Sequence, residues 1–324
     1  MSDIDYQWPL GAIPPPDRPA EEDARERGVL HDELDGYFTR RLGHPAIVVP
    51  SGQAAIALVL RFLGSNRAKT IFVPRWSSHC LWNVTGHYGN PTCTDPQAAD
   101  IVLAVHKYGF VERCSSDAGR GIIEDSCDCI FSDGSSLFPN GGDFALVSLP
   151  KTMGLYGGGV LVARTPGLAD AVRPLTRDFG PLNEYAGLQR YLAAAGKASP
   201  FCDPLALEWK NFSPDLTVLR SIRDNLDALE RNRETIAARL DYVARHAPIL
   251  LRRAKKISGG RLPPVLPVPV RGPAPEGIMV RNVNRTDSLE RPEFSTAALV
   301  PLHFGVARDR FEAIVSALSG FIED

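Results

Sequence analysis

Between Ala20 and Leu42 the apolar residues Val29, Leu30, Leu34, Tyr37, Phe38 and Leu42 recur at threes and fours, which predicts a helix with one packed face. From residue 46 the pattern changes. AIVVP (46–50), TIFVP (70–74), DIVLAV (100–105), GIIED (121–125), DFALVSLP (143–150) and GGVLVAR (158–164) are short and apolar, and helical stretches opening at Gly52 and near 78–88 separate the first of them. Strands that are apolar throughout belong in a mostly parallel central sheet covered by helices on both faces, an α/β fold. Beyond residue 166 the chain turns helical, and Leu216, Leu219, Ile222, Leu226, Leu229, Ile236, Leu240 and Val243 predict one long helix between two domains. Arg233 interrupts any coiled-coil seam along it. The proline-rich RLPPVLPVPVRGPAPEG then reads as extended segments, and ALVPLHFG with a helix from Ala307 to Phe321 closes a smaller α+β domain. The expected division is a leader and helix over 1–44, a large α/β domain over 45–210, and the long helix with the small domain over 211–324.

Composition narrows the function classes. At 324 residues the chain has room for two domains and a core that needs no covalent staples. Its 36 basic and 38 acidic side chains give a net charge of −2, so there is no field to gather a polyanion and nucleic acid is not an expected partner. MSDIDYQWPLG lacks the apolar centre of a signal peptide, and the longest apolar run, Ala54 to Leu60, is far short of the roughly 20 residues a membrane span needs. A soluble protein is expected. The six cysteines show no disulfide spacing, which fits a reducing cytoplasm, and the pair Cys127 and Cys129 has neither a second pair nor a histidine cluster to make a metal site. RRAKK (252–256) reads as a solvated helix end.

The candidate chemistry lies at strand ends, where α/β sheets gather their ligands. Ser51, Gly52 and Gln53 open an apolar helix after AIVVP: backbone N–H groups there would seat a phosphate, or they form an ordinary helix cap. GIIED ends in Asp125, whose carboxylate needs a cation or donor, while its neighbour Glu124 points to the opposite face. DFALVSLPK delivers Ser148 and Lys151 to the end of another strand, and by itself an Asp125–Lys151 salt bridge would account for both charges. The glycines at 157–159 let a strand start close to other backbone. Taken in order, a phosphate seat, an acid at a strand end and a lysine are the parts that pyridoxal phosphate asks for. The acid keeps the ring nitrogen protonated and the lysine forms the Schiff base.

These segments resemble the DegT/StrS-type sugar aminotransferases, which share the aspartate-aminotransferase fold (fold type I). SGQAAIALVL is similar to their "SGTAALxLAL", IFVPRWSSHC to "VIVPAFTFVAT", VHKYG to "VHLYG", IIEDSCD to "IEDAAQ", and GGDFALVSLPKTMGLYGGGVLVAR to "GDxxxFSFxxxKxxxxGEGGxxxT". Similarity continues weakly through NFSPDLTVLRSIRDNLDALERNRETIAARL and VPLHFGVARDRFEAIVSAL, so it covers about 20 to 324. The resemblance implies pyridoxal 5'-phosphate as cofactor, Lys151 as Schiff-base lysine and proton shuttle, and Asp125 on the pyridine nitrogen. It places Ser51, Gly52, Gln53 and Ser148 on the phosphate and lets Asn211 reach a neighbouring chain's cofactor in a homodimer. The implied reaction moves an amino group from an amino acid to a keto compound, by default a nucleotide-linked keto sugar, or a natural-product intermediate.

The chain departs from that pattern at its site. Gln53 stands for threonine, Asp128 for the glutamine that bonds the ring hydroxyl, and Gly157 for the glutamate of "GEGG"; Ser148 precedes Lys151 by three residues where the pattern has five. The ring-stacking aromatic falls at Ser78, leaving that part to His79 or Trp76. The segment from Thr94 to Asp100 is a short link. Asp128 and Gly157 keep open another reaction on the same cofactor, such as elimination, decarboxylation or carbon–carbon cleavage, and a non-catalytic protein retaining the fold is a third reading. Arg173, Arg177, Arg281 and Arg285 could clamp a carboxylate or diphosphate, but exposed arginines are more ordinary and none is assigned.

Overall fold

The computed structural model describes residues 6–9, 12–13, 16, 20–21, 23–115, 120–131, 136–177, 213–257 and 260–323. A seven-stranded sheet runs in the order β1 (Ala46–Val49), β8 (Gly159–Ala163), β7 (Phe144–Ser148), β5 (Gly121–Asp125), β4 (Ile101–Val105), β2 (Thr70–Phe72), β3 (Asn90–Thr92). β8 pairs antiparallel with β1 and β7, and every other pairing is parallel, as the unbroken apolar runs predict.

Residues two apart on a strand share a face. Ile47, Val49, Phe144, Leu146 and Leu161 therefore pack under α2 (Gly52–Phe62), α3 (His79–Tyr88) and α5 (Pro166–Arg177). Val48, Val147, Val160 and Val162 pack on the other side against α1 (Ala24–Leu42) and α6 (Leu216–Asp224). α2 is buried all round from Ala54 to Leu60, which is why its sequence lacks a polar stripe. In α1 the expected face holds for Leu30, Leu34 and Phe38, whereas Val29 is 54% exposed. The same helix buries Asp35, which accepts from the Val48 N–H at 2.7 Å and pairs with Arg173 at 2.5 Å. Arg173 is thus tied into the fold and is not a free clamp.

The single long helix expected across 216–243 is two helices. α6 stops at Asp224 and α7 (Asp227–His246) begins after Asn225, whose side-chain amide donates to the Ser221 carbonyl at 2.8 Å and competes with the helical ladder. α8 (Pro248–Arg253) follows. β9 (Arg261–Leu262) pairs with β6 (Ile130–Phe131), beside the large sheet's site edge. β10 (Val265–Pro269), β12 (Phe294–Pro301) and β11 (Val280–Asn284) form a small antiparallel sheet with β12 in the middle. Pro267 and Pro269 are tolerated because β10 is an edge. α7, α8 and α9 (Arg308–Glu323) cover this sheet through Ile236, Leu250, Phe311 and Leu318. RRAKK is only partly solvated: Lys255 turns inward, its Nζ 3.4 Å from Glu112 Oε1 and within hydrogen-bond reach of the Asn284 and Thr286 carbonyls. Glu112 is buried and needs that cation. Among the described residues no helix is long and apolar enough to cross a membrane, and no cluster of histidine, cysteine and acid could hold a metal.

Candidate active site

β5 and β7 are parallel neighbours in the middle of the sheet, so their carboxyl ends emerge side by side. Asp125 is the last residue of β5. Ser148 ends β7 and starts the one-turn helix α4 (Leu149–Met153), which carries Lys151. The Lys151 ammonium lies 2.6 Å from Asp128 Oδ1, in the turn just after β5. Burial disfavours its charge, but Asp128 above all, then Cys127, Cys80 and Asp125, more than offset that penalty and raise its pKa. Asp125 is itself buried, and its Oδ1 accepts the Cys127 N–H at 3.0 Å. Burial and the Asp128 charge push its pKa up, while Lys151 pulls it down. The lysine meets two carboxylates, and Asp128 takes the direct contact.

The loop after β1 reaches the same place. Ser51 caps α2, its Oγ accepting from Ala54 N–H at 3.1 Å, so the Gly52 and Gln53 N–H groups, in the first helical turn, have no partner within the helix. A Cβ on Gly52 would sit 3.0 Å from Cys127 Sγ and 3.8 Å from Ser148 Cβ, which places Ser148 directly beside the helix start. β8 begins right against this loop: a Cβ on Gly159 would lie 2.6 Å from the Ser51 carbonyl carbon, so the glycine run serves a close backbone approach as expected. Gln53 Nε2 reaches the Cys80 carbonyl at 3.5 Å, a marginal bond. His79 heads α3 with its side chain exposed, and its neighbour Cys80 is the residue within electrostatic reach of Lys151. Trp76 packs edge-on against Phe294 of the small sheet. Asn211 and the Arg177 side chain lie outside the described residues.

Sequence reasoning passed over the N-terminal segment. Trp8 lies with its ring 4.6 Å from Lys151 Nζ, a cation–π contact over the candidate reactive amine. Its neighbours hold it there. The Tyr6 hydroxyl donates to the Leu299 carbonyl at 2.7 Å, the Tyr6 carbonyl meets His303 Nε2 at 3.1 Å, and Gln7 Oε1 accepts from the Tyr108 hydroxyl at 2.6 Å. The only sequence signal was an aromatic pair within YQWP. Tyr108 is the one described residue other than glycine with positive φ (56°), in the tight turn Lys107–Gly109 after β4.

Several buried polar atoms lack a hydrogen-bond partner among the described residues: Ser126 Oγ, next to Asp125; Ser77 Oγ and Trp76 Nε1, after β2; and Trp8 Nε1. A site with unspent donors, a helix start whose first N–H groups have no partner within the helix, and a lysine beside two acids fits a phosphorylated aromatic aldehyde. Fold and site together define the class of pyridoxal-phosphate enzymes. Residues 35–319 match the family described as "Putative PLP-dependent aminotransferase", and the chain belongs to that family.

Solved structures with the same fold include "Putative sugar aminotransferase Spr1654 from Streptococcus pneumoniae, PMP-form" (TM-score 0.61, 15% identity, covering 94% of this chain and 99% of that one). DesV of S. venezuelae in complex with a ketimine intermediate is similar at TM-score 0.57 and 18% identity, covering 91% and 90%. A DegT DnrJ EryC1 StrS aminotransferase from Brucella abortus matches at 0.58 and 17%, covering 90% of each chain. No curated protein sequence matches. The protein is a pyridoxal-phosphate-dependent aminotransferase, with a small-molecule amino donor and a keto acceptor.

Proposed function

We propose that Lys151 is the residue to which pyridoxal phosphate attaches, that Asp125 binds its ring nitrogen, and that the acceptor is a keto sugar. The observation that carries the reading is the convergence of Lys151, Asp125, Asp128, Ser148 and the start of α2 on one end of the sheet. The Gly52 and Gln53 N–H groups with Ser51 and Ser148 would hold the phosphate, and Asp125 would keep a proton on the ring nitrogen. When bound, the cofactor supplies an electron-withdrawing ring that stabilises negative charge on the donor's α-carbon.

The chain's own part is proton handling. Lys151 Nζ takes a proton from the donor's carbon and returns it to the acceptor's, and Asp128, 2.6 Å away, holds that amine on station. Trp8 lies over one side of the amine. The sugar is supported by the likeness to the pneumococcal structure, which is described as a sugar aminotransferase. A homodimer with sites at its interface, a cytoplasmic location, the division near residue 210 and a part for Gln53, His79 and Asn211 at the cofactor belong to the same proposal.

Borohydride reduction of the loaded protein followed by peptide mass mapping tests it: the cofactor's mass is expected on the peptide that contains Lys151. Mass on another lysine, or on none, overturns the assignment. A glutamate-coupled assay then compares keto sugars with simple keto acids, and turnover of keto acids alone overturns the acceptor class.

A further inference from the structure

The N-terminal segment crosses the site edge as a short strap, gripped on both sides of Trp8. Before it, Tyr6 is buried; its hydroxyl donates to the Leu299 carbonyl of β12, its carbonyl accepts from His303 Nε2, and Gln7 accepts from the Tyr108 hydroxyl. After it, the buried Pro9 lies against two glycines. A Cβ on Gly305 would be 2.9 Å from Pro9 Cα, and one on Gly154 would be 2.9 Å from the Pro9 carbonyl oxygen. Gly154, at φ 78°, ends the one-turn helix that carries Lys151, and its carbonyl accepts the Ile13 N–H at 3.0 Å. Holding a terminal segment still costs backbone entropy at every residue, and the small sheet, the turn after β4 and the lysine helix together offset that cost around one side chain.

What the strap presents is the face of an indole. Lys151 Nζ lies over the Trp8 ring, 4.6 Å from its centre. The charge alone does not account for the ring, because Asp128 at 2.6 Å already neutralises the ammonium and Asp125 adds to the attraction. A group that bonds to Nζ begins about 1.3 Å away, the length of a C–N bond with double-bond character, so its first atom stays within about 6 Å of the indole centre whichever way it leaves. A flat ring carried on that atom and leaving across the indole face comes within the roughly 4.5–7 Å over which aromatic pairs attract. The two rings near the end of β2 are placed otherwise: His79 is exposed at the head of α3, and Trp76 packs edge-on against Phe294.

Building on the reading of Lys151 as the attachment point of pyridoxal phosphate, we propose that Trp8 is a cofactor-binding residue, its indole face packed against the pyridine ring, which makes the N-terminal strap a wall of the active site. Phenylalanine at this position preserves a flat face, and leucine preserves only bulk.

Full-length wild type, Trp8→Phe, Trp8→Leu and Trp8→Ala are titrated with pyridoxal phosphate, followed by absorbance, and with pyridoxine 5'-phosphate, followed by calorimetry. The second compound has the same ring and phosphate but no aldehyde to bond to a lysine. Both should bind about tenfold or more weakly to Trp8→Leu and Trp8→Ala, the scale of one lost aromatic contact, and within about threefold of wild type to Trp8→Phe.

Unchanged affinity in Trp8→Ala overturns the proposal, and so does tighter binding, in which case the indole obstructs the ring. A Trp8→Leu protein that binds as tightly as wild type overturns it by reducing Trp8 to filler. Weakened pyridoxal phosphate with unchanged pyridoxine phosphate overturns it as well, since the indole then acts on the amine and not on the ring. Should Trp8→Ala not fold, the phenylalanine and leucine variants, which keep the place filled, decide the matter. Borohydride mapping separates the two failures. Wild type that takes up no cofactor mass at Lys151 overturns the functional reading, whereas mass at Lys151 with affinities indifferent to Trp8 overturns this inference alone.

Discussion

Glu124 and Asp125 are consecutive carboxylates at the end of β5, both buried, and they face opposite sides of the sheet. Glu124 is saturated. It accepts from His106 Nε2 at 2.9 Å, from the Asn140 backbone and side-chain amides at 2.8 and 3.0 Å, and from Gly142 N–H at 3.1 Å. Burial favours its neutral form, yet His106 and Asn140 outweigh it and lower its pKa. His106 Nδ1 accepts the Glu112 N–H at 3.1 Å, which puts the ring proton on Nε2, and Nε2–H donates to Glu124. Asp125 accepts the Cys127 N–H, and burial raises its pKa. Equal burial with unequal satisfaction separates architecture from chemistry: the first acid has spent its lone pairs inside the protein, and the second keeps them for a ligand.

The largest effect expected from breaking this contrast is at Lys151. Lys151→Ala should cut transamination by roughly 10⁴-fold, the upper range for a positioned acid–base group, with the melting temperature nearly unchanged. Next, Asp125→Asn should lower kcat/KM by roughly 10²- to 10³-fold, about 3–4 kcal/mol, while stability moves by no more than about 1 kcal/mol. Glu124→Ala should do the reverse. Leaving His106, Asn140 and Gly142 unpaired should cost about 3 kcal/mol of stability and lower the melting temperature by about 6–12 °C, with activity per folded molecule retained. A Glu124 variant that lost activity while keeping its stability would erase the distinction.

Asp128→Asn should act more mildly. Asp128 raises the Lys151 pKa, so its removal should move the pH midpoint of cofactor uptake, followed by absorbance, downward by about one unit or more.

The smallest effect is in stability against pH. Burial lowers the His106 pKa from 6.5 to about 4, so its contribution is complete above pH 6.5 and is lost as pH falls toward 4. Burial raises Glu112 from 4.5 to about 7, so its contribution is complete below pH 4.5 and fades as pH rises through 7. The two slopes oppose each other between pH 4.5 and 6.5, and urea midpoints should be nearly flat there in the wild type. Glu112→Gln removes one slope, and the midpoint should then climb with pH over that interval. A flat profile in that variant would show that His106 is not held neutral.

Much of the site edge was legible along the chain because it is built from local patterns. GIIED and DFALVSLPK each pair an apolar strand with the charged residue that leaves it, and Ser51 and Gly52 announce a helix start after AIVVP. What escaped were meetings between distant segments. Trp8 comes over Lys151 from 143 positions away in numbering, Lys255 turns in to Glu112, and Asn225 breaks a periodicity that otherwise continues. The choice of Asp128 over Asp125 as the direct partner of Lys151 belongs with these.

By itself, then, the order of residues determined the strands and most of the helices, the parallel character of the sheet, and which acid and which lysine stand at strand ends, because periodicity and turn chemistry act over a few residues. Tertiary structure alone decided which of those charges are neutralised and which are left short of partners. That outcome depends on how closely segments far apart in the chain approach and how much water they exclude, and neither quantity is written in any local pattern.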